Sequence, residues 1–471
     1  MIHNKHVRII IAVLVFVIFI SVINRGTGHI LEKASICSEC NVIIIGVDAL
    51  QAAHVSHLGN KNETTPTIDA LAKKGTSFSQ AISPAPWTVP AFMSIFTGLY
   101  PSEHKVVNKF SIFTEEKQVI SNLKELSPNV QTLADIFKAN GYATAGFTGD
   151  AGVSAQFGYN KGFDAYTDEK TFGSIENSSA HALPWIEENK DNKFFIFLHG
   201  YDDHGQFDVP EKYKGRFMPA NYAGPYKGTK EEQRNLREKG LSDGKINLTP
   251  DDVAFWRGWY DSKIRDADDR LAGFLEAYGR LGIKNKTIFV VVSDHGTEFY
   301  EHKRFDHGFS LYDELVRVPL VFVVPGLSGK GIISDQVTTL DVAPTLIDIT
   351  GINVTETYRS QLRGKSLLSY LTTGKGEARD VFMETDYRNY TYKRGVRTAD
   401  GWKYIMTMET GTEELYNVKS DPAETKNVLN EYPEISSRLN ERVIRHIVET
   451  GQSPSGPWET GCVPVYGDQC K

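Results

Sequence analysis

Short aliphatic runs without a polar break recur along this chain, each giving way to a longer stretch with helical spacing. "NVIIIGVDA" leads to "TIDALAKKG", and "VQTLADIFKANGYATAGFTG", "KFFIFLHGYDDH", "KTIFVVVSDHG" and "VPLVFVVPG" continue the alternation. A strand that is apolar at every position has no face to give to water. It must lie in a mostly parallel sheet covered by helices on both sides. The expected class is therefore α/β. "TPDDVAFWRGWYDSKIRDADDRLAGFLEAYGRLG" is the longest helix candidate, and the whole core comes to about 330 residues, within range for an enzyme.

Beyond Gly374 the pattern changes to short alternating strands with turn signals, "RDVFMETDYRNYTYKRGVRTADGWKYIMTMETGTEELYNVKSDP", and then a helix candidate, "YPEISSRLNERVIRHIVET". We read three parts: residues 1–28 as an N-terminal membrane anchor or signal segment, 29–373 as the catalytic domain, and 374–471 as a smaller antiparallel α+β subdomain. The stretch from Glu211 to Thr249 reads as a surface insertion that shapes the substrate entrance.

The first part has a basic flank, MIHNKHVR, followed by an apolar run from Ile9 to Ile23 broken only by Ser21. That length falls between a signal-peptide core and a spanning helix, which takes about 17 to 25 residues. We read it as an uncleaved anchor with the catalytic part outside the cytoplasm; cleavage and secretion is the alternative. The four cysteines, Cys37, Cys40, Cys462 and Cys470, flank the exported part and suit disulfides in an oxidising compartment. A formal net charge of −7 argues against a nucleic-acid partner held through its phosphates.

Polar groups gather where the strands end: Asp48, His199 to His204, and Asp294-His295. Ligands of open α/β sheets bind beyond the carboxyl ends of the strands, so three distant segments point at one crevice. Carboxylate with imidazole suits a divalent metal, and a histidine in the set favours zinc or manganese over calcium, which prefers all-oxygen shells. In "PAPWTVPAFMSIFTG", Pro90 marks the first turn of a helix that stops at Gly98. Thr88 at that N-terminus either caps the helix or presents its hydroxyl where backbone N–H groups and the helix dipole favour an anionic substrate.

These residues resemble the sulfatases of the alkaline phosphatase superfamily. "NVIIIGVDAL", "TPTIDALAKKGTSFSQAISPAPWTVPAFMSIFTGLYPSEHKV", "TLADIFKANGYATAGF", "FVVVSDHGTEFYEHKRFDHGFSLYDELVRVPLVF", "VTTLDVAPTLIDITGI" and "EELYNVKSDPAETKNV" look like family segments in family order. The resemblance implies an alkaline-phosphatase-like fold with Thr88 at the nucleophile position and Asp48, Thr88, Asp294 and His295 at metal positions. It places His204 and His307 against substrate oxygens or in a second metal site with Asp202, so that one or two ions are expected. Glu298, Glu301 and His302 are either outer support or a solvated charged loop. His104 and His199 are supporting or core histidines.

The departures bear on the substrate. Sulfatases carry Cys or Ser in Cys/Ser-x-Pro-x-Arg, oxidised to formylglycine, whereas this chain reads Thr88-Val89-Pro90-Ala91-Phe92, and threonine cannot give that aldehyde. The family's Asp-Asp pair is Asp48-Ala49. A metal-bound threonine resembles instead the superfamily's phosphoesterases, so the expected activity is metal-dependent hydrolysis of phosphate mono- or diesters. A sulfate-ester hydrolase without formylglycine is one alternative. A membrane-anchored phosphoethanolamine or phosphoglycerol transferase is another, disfavoured because this chain has at most one membrane helix. The expected substrate is a small-molecule, glycan or lipid-headgroup ester.

Overall fold

The computed structural model describes residues 35–107, 112–113, 119–120, 125–205, 208–242 and 246–454. The expected membrane segment lies outside these residues, as do Cys462 and Cys470; among the described residues no helix is long and apolar enough to cross a membrane. Cys37 and Cys40 are joined in a disulfide.

Eight strands build the central sheet: β1 (Asn41–Val47), β2 (Thr76–Ile82), β3 (Ala143–Phe147), β4 (Ala165–Thr167), β5 (Phe194–Gly200), β6 (Thr287–Ser293), β7 (Arg317–Val323) and β8 (Gly331–Thr338). Their spatial order is β8-β2-β7-β6-β1-β5-β3-β4. All neighbours are parallel except β7, which runs antiparallel to both β2 and β6. The chain leaves β6 and re-enters the sheet as β7 from the same end, without a helical crossover, so the segment between them stays at the carboxyl end of the parallel strands.

Among the helices that shape the cores and the site are α1 (Pro66–Lys74), α2 (Thr88–Thr97), α3 (Leu133–Ala139), α4 (Ile175–Asn189), α5 (Lys230–Ser242), α6 (Pro250–Arg280) and α7 (Val342–Thr350). Side chains alternate across a strand. From β1, Val42 and Ile44 pack with Phe92 of α2, Phe137 of α3 and Leu346 of α7, while Ile43 and Ile45 pack with Leu71 of α1, Ile186 of α4 and Phe274 of α6. The unbroken apolar run is thus shared between two cores, each buried aliphatic side chain contributing roughly 1.5–3 kcal/mol. The start of α6 is fixed by a reciprocal cap: Thr249 Oγ1 accepts from Asp252 N–H at 3.2 Å and Asp252 Oδ2 accepts from Thr249 N–H at 2.9 Å.

A second, antiparallel sheet follows in the order β9 (Val381–Thr385), β10 (Lys393–Arg397), β11 (Trp402–Thr407) and β12 (Thr412–Asn417). Helix α8 (Pro433–Glu449) covers it, its Leu439, Val443 and Ile447 recurring every four residues against Val396, Tyr404 and Leu415. Glu384 of β9 ties this layer to the first: it accepts from Ser102 N–H and Oγ–H, each at 2.9 Å, and lies 2.7 Å from His446 Nε2 of α8. Burial opposes its charge, but the hydrogen bond from His446 and the charge of Arg394 hold the carboxyl down to about 2.

Candidate active site

β1 and β6 are neighbours in register, Val47 opposite Ser293, so the residues that come after them, Asp48 and Asp294, emerge side by side. Ala49 seals the pair: its backbone adopts the left-handed region (φ 61°) and its N–H donates to Asp294 Oδ1 at 3.1 Å. Thr88 is the first residue of α2, one position past the N-cap, Trp87. Its hydroxyl donates to Asp48 Oδ2 at 3.1 Å and lies 3.3 Å from His295 Nε2. The capping alternative therefore fails at this position.

The tautomer of His295 is set by its partners. Nδ1 is 2.7 Å from the carbonyl oxygen of Gly296, which can only accept, so Nδ1 carries the proton and the Nε2 lone pair faces Thr88 and Asp294. Ligand atoms of Asp48, Asp294 and His295 all lie within 4.8 Å of one another, and all three side chains are fully buried. Asp294 Oδ2 accepts no hydrogen bond among the described residues. Burial, then the charge of Asp48, raises the Asp294 carboxyl to about 7, while burial lowers His295. Two carboxylates, a neutral imidazole and a hydroxyl around a buried, unsatisfied oxygen are a donor set that fits a divalent cation.

Three imidazoles stand in a row: the His295 and His307 ring centres are 4.3 Å apart, and those of His307 and His204 are 4.9 Å apart. Asp306 hydrogen-bonds His307 Nδ1, and its backbone lies in the left-handed region at φ 82°. Burial opposes ionisation of Asp306, yet His307 and then Arg237, whose Nη1 is 3.7 Å away, hold its carboxyl far below the usual range.

Asp202 is a correction. It does not join His204 and His307; its Oδ2 accepts from Ile175 N–H at 2.7 Å, at the start of α4, and its Oδ1 faces Arg270 Nε at 3.4 Å. Successive residues after a strand point in different directions, and the helix terminus with its arginine claims this one. Glu298 and His302 are not in a solvated loop: Glu298 is fully buried and accepts from His302 and Arg304 N–H, and His302 lies 2.6 Å from Glu314 and stacks on Tyr312. Glu301 pairs with Arg257. His199 stands behind the site, 3.6 Å from Asp48 Oδ2 and lowered to about 3 by burial. His104 supports α2, its Nε2 being 3.2 Å from Pro90 O.

Two site neighbours escaped the sequence reading. Gly152 packs on the nucleophile candidate so closely that a Cβ there would come 2.8 Å from Thr88 Cβ, and its N–H donates to Tyr201 OH at 2.6 Å. Asp306 is the other, and the signal for it was present: Asp-His-Gly occurs at 203–205, 294–296 and 306–308, and the three histidines of the row come from these three tripeptides.

The sequence model described as Sulfatase matches residues 40–352, and the model described as N-sulphoglucosamine sulphohydrolase, C-terminal, matches residues 300–449. The chain belongs to the sulfatase family. A sulfatase from Formosa agariphila is 26% identical over 441 residues, covering 83% of each chain. Arylsulfatase K from Homo sapiens is 23% identical, covering 90% of this chain and 85% of that one. The solved phosphonate monoester hydrolase of Agrobacterium radiobacter superposes with a TM-score of 0.68 at 20% identity, covering 87% of this chain and 96% of that one. The fold is thus alkaline-phosphatase-like, and the protein is a sulfatase-family ester hydrolase from a metal-dependent family.

Within the sulfatase family's motif, the place of the arginine is filled by Phe92, fully buried between Phe197 and His199 with ring centres 5.3 and 5.0 Å away. A Cβ on Gly46 of β1 would come within 2.9 Å of that ring. The position is thus occupied by an aromatic ring packed in the core beneath the site.

Proposed function

We propose that this sulfatase-family protein hydrolyses phosphate esters, mono- or diester, with the Thr88 hydroxyl as nucleophile. The observation that carries the reading is the hydroxyl itself, at a helix N-terminus, 3.1 Å from Asp48 Oδ2 and 3.3 Å from His295 Nε2. Threonine needs no oxidation to act as a nucleophile and cannot become formylglycine. The named activity of the phosphonate monoester hydrolase neighbour favours a phosphorus ester.

Asp48, Asp294, His295 and the Thr88 hydroxyl would hold a divalent cation, zinc or manganese, which when bound lowers the hydroxyl pKa and offsets charge on the ester oxygens. The bond to Asp48 fixes the hydroxyl, and the first turn of α2 offers the backbone N–H groups of Thr88 and Val89 and the positive end of its dipole to the anion. Thr88 Oγ1 passes its proton to Asp48 Oδ2, to which it already donates, and bonds to phosphorus as the ester oxygen leaves, giving a phosphothreonine. Water then cleaves that bond and restores the threonine. His307, held at Nδ1 by Asp306, and His204 beside it carry the proton to the leaving oxygen and from the incoming water. Residues 29–373 form the catalytic unit in this reading, and 374–471 the subdomain that closes one side.

A second reading, sulfate-ester hydrolysis without formylglycine, is favoured by the named activity of the sequence relatives. The deciding experiment compares aryl phosphate, aryl phosphodiester and aryl sulfate with the full chain in zinc or manganese, beside Thr88→Ala. Preference for a phosphorus ester that disappears in Thr88→Ala is expected; preference for sulfate, or turnover that survives the substitution, refutes the proposal.

A further inference from the structure

Next to the histidine row, a recess of about 280 Å³ opens under helix α5, which belongs to the insertion between β5 and α6. Its floor is Gly205, adjacent to His204, and Asp306, which bonds His307. Its wall is one stripe of α5: Lys230, Arg234 and Arg237 recur at i, i+4 and i+7, so they share a helix face.

The three cations are not equivalent. Arg237 is buried and committed, with Nε and Nη2 at 3.1 and 2.9 Å from Glu238 Oε1 and Nη1 facing Asp306. Asp306 is in turn neutralised by Arg237 and His307. Lys230 Nζ makes a long contact, 3.9 Å, to Asp208. Arg234 makes no hydrogen bond or ion pair with any described residue and is exposed at the mouth of the recess. Glu231 is an exposed acid on the same wall. Three cations thus face two carboxylates among the lining residues, leaving one net positive charge, and it sits on the open side with Lys230 and Arg234. Sites for whole drug-sized ligands run to about 300–1,000 Å³, so a recess just below that range suits one substituent or ring.

We infer that the recess is a second anion subsite: it takes a sulfate, carboxylate or phosphate carried elsewhere on the same substrate whose ester lies at Thr88, with Arg234 as the pairing group and Lys230 in support. The inference rests on the ester-hydrolase reading and narrows its substrate class to esters bearing a further negative charge.

The test is a binding titration with the full-length Thr88→Ala protein in zinc, which lacks the proposed nucleophile. Phenyl phosphate is compared with 3- and 4-carboxyphenyl phosphate, and the matching aryl sulfates are run in parallel. A carboxylated ester is expected to bind about fivefold tighter than its plain partner, as for an exposed pair of up to ~1 kcal/mol, and the preference should fade between 50 and 500 mM salt, roughly an order of magnitude in ionic strength. Adding Arg234→Glu or Lys230→Glu should erase the preference while leaving plain-ester affinity and the melting temperature unchanged. Equal binding of every plain and carboxylated pair, or a preference that survives Arg234→Glu, overturns the inference. Because binding is read without turnover, loss of the hydrolase reading shows up separately, as an inactive wild-type chain.

Discussion

Gly152→Ala tests the placement of Thr88 without removing any polar group. Gly152 lies outside the left-handed region, so alanine brings no backbone penalty, only its methyl carbon. That carbon would sit 2.8 Å from both Cβ and Cγ2 of Thr88 and 2.9 Å from Tyr201 OH. Non-bonded carbons prefer about 3.5–4.0 Å, so Thr88 or its neighbour must yield by roughly 0.7 Å or more. Overpacking of this kind costs about 1–3 kcal/mol, visible as a lowered melting temperature in a still-folded protein. For the chemistry the displacement matters more: a misplacement of about 1 Å in a reacting group costs on the order of a hundredfold. The assay is steady-state hydrolysis of the preferred aryl ester by wild type and Gly152→Ala, at a temperature where melting curves show both folded. A fall in kcat of about thirty- to a hundredfold with little change in KM is expected. Activity within threefold of wild type would mean that the position of Thr88 does not govern the rate, and the nucleophile assignment would go with it.

Other predictions concern the ligands, the histidine row and the joint between the layers. Chelation should abolish hydrolysis and lower the melting temperature, with both restored by zinc or manganese; saturation at a hundred times Kd is worth about 2.7 kcal/mol. Because a proton competes for Asp294, whose carboxyl is raised to about 7, metal affinity should weaken below that pH by about tenfold per unit, measured by titration with a fluorescent chelator. Asp306→Asn keeps a residue that tolerates φ 82° but removes the charge that holds His307, so kcat should fall about 10- to 100-fold without loss of fold by circular dichroism. Glu384→Gln should destabilise by roughly 3 kcal/mol at neutral pH. Since its folded pKa lies below the ordinary value of 4.5, at about 2, the stabilisation is present above pH 4.5 and lost as pH falls toward 2; urea titrations of wild type and variant should converge across that window.

The layers and half of the site were legible in the string of residues alone. A run such as Val42 to Ile45 admits only one environment, a strand covered on both sides, and strands of that kind deliver Asp48 and Asp294 to the same edge whatever the details of packing. A threonine between two prolines at the start of an apolar helix was equally legible, because local sterics fix that turn. Contacts set by distant segments were not legible. Asp202 and Asp203 are adjacent carboxylates, and only the docking of α4 and Arg270 shows that Asp202 turns away from the histidine row. Gly152 lies on no motif, and only the approach of its loop to α2 makes it the wall behind Thr88. Phe92 looks like a lost arginine in the sequence and a packed core residue in the fold. The division has a physical reason: hydrophobic periodicity and turn chemistry are local properties that a linear string carries, whereas the direction of a buried polar side chain depends on which partner, far along the chain, satisfies it first.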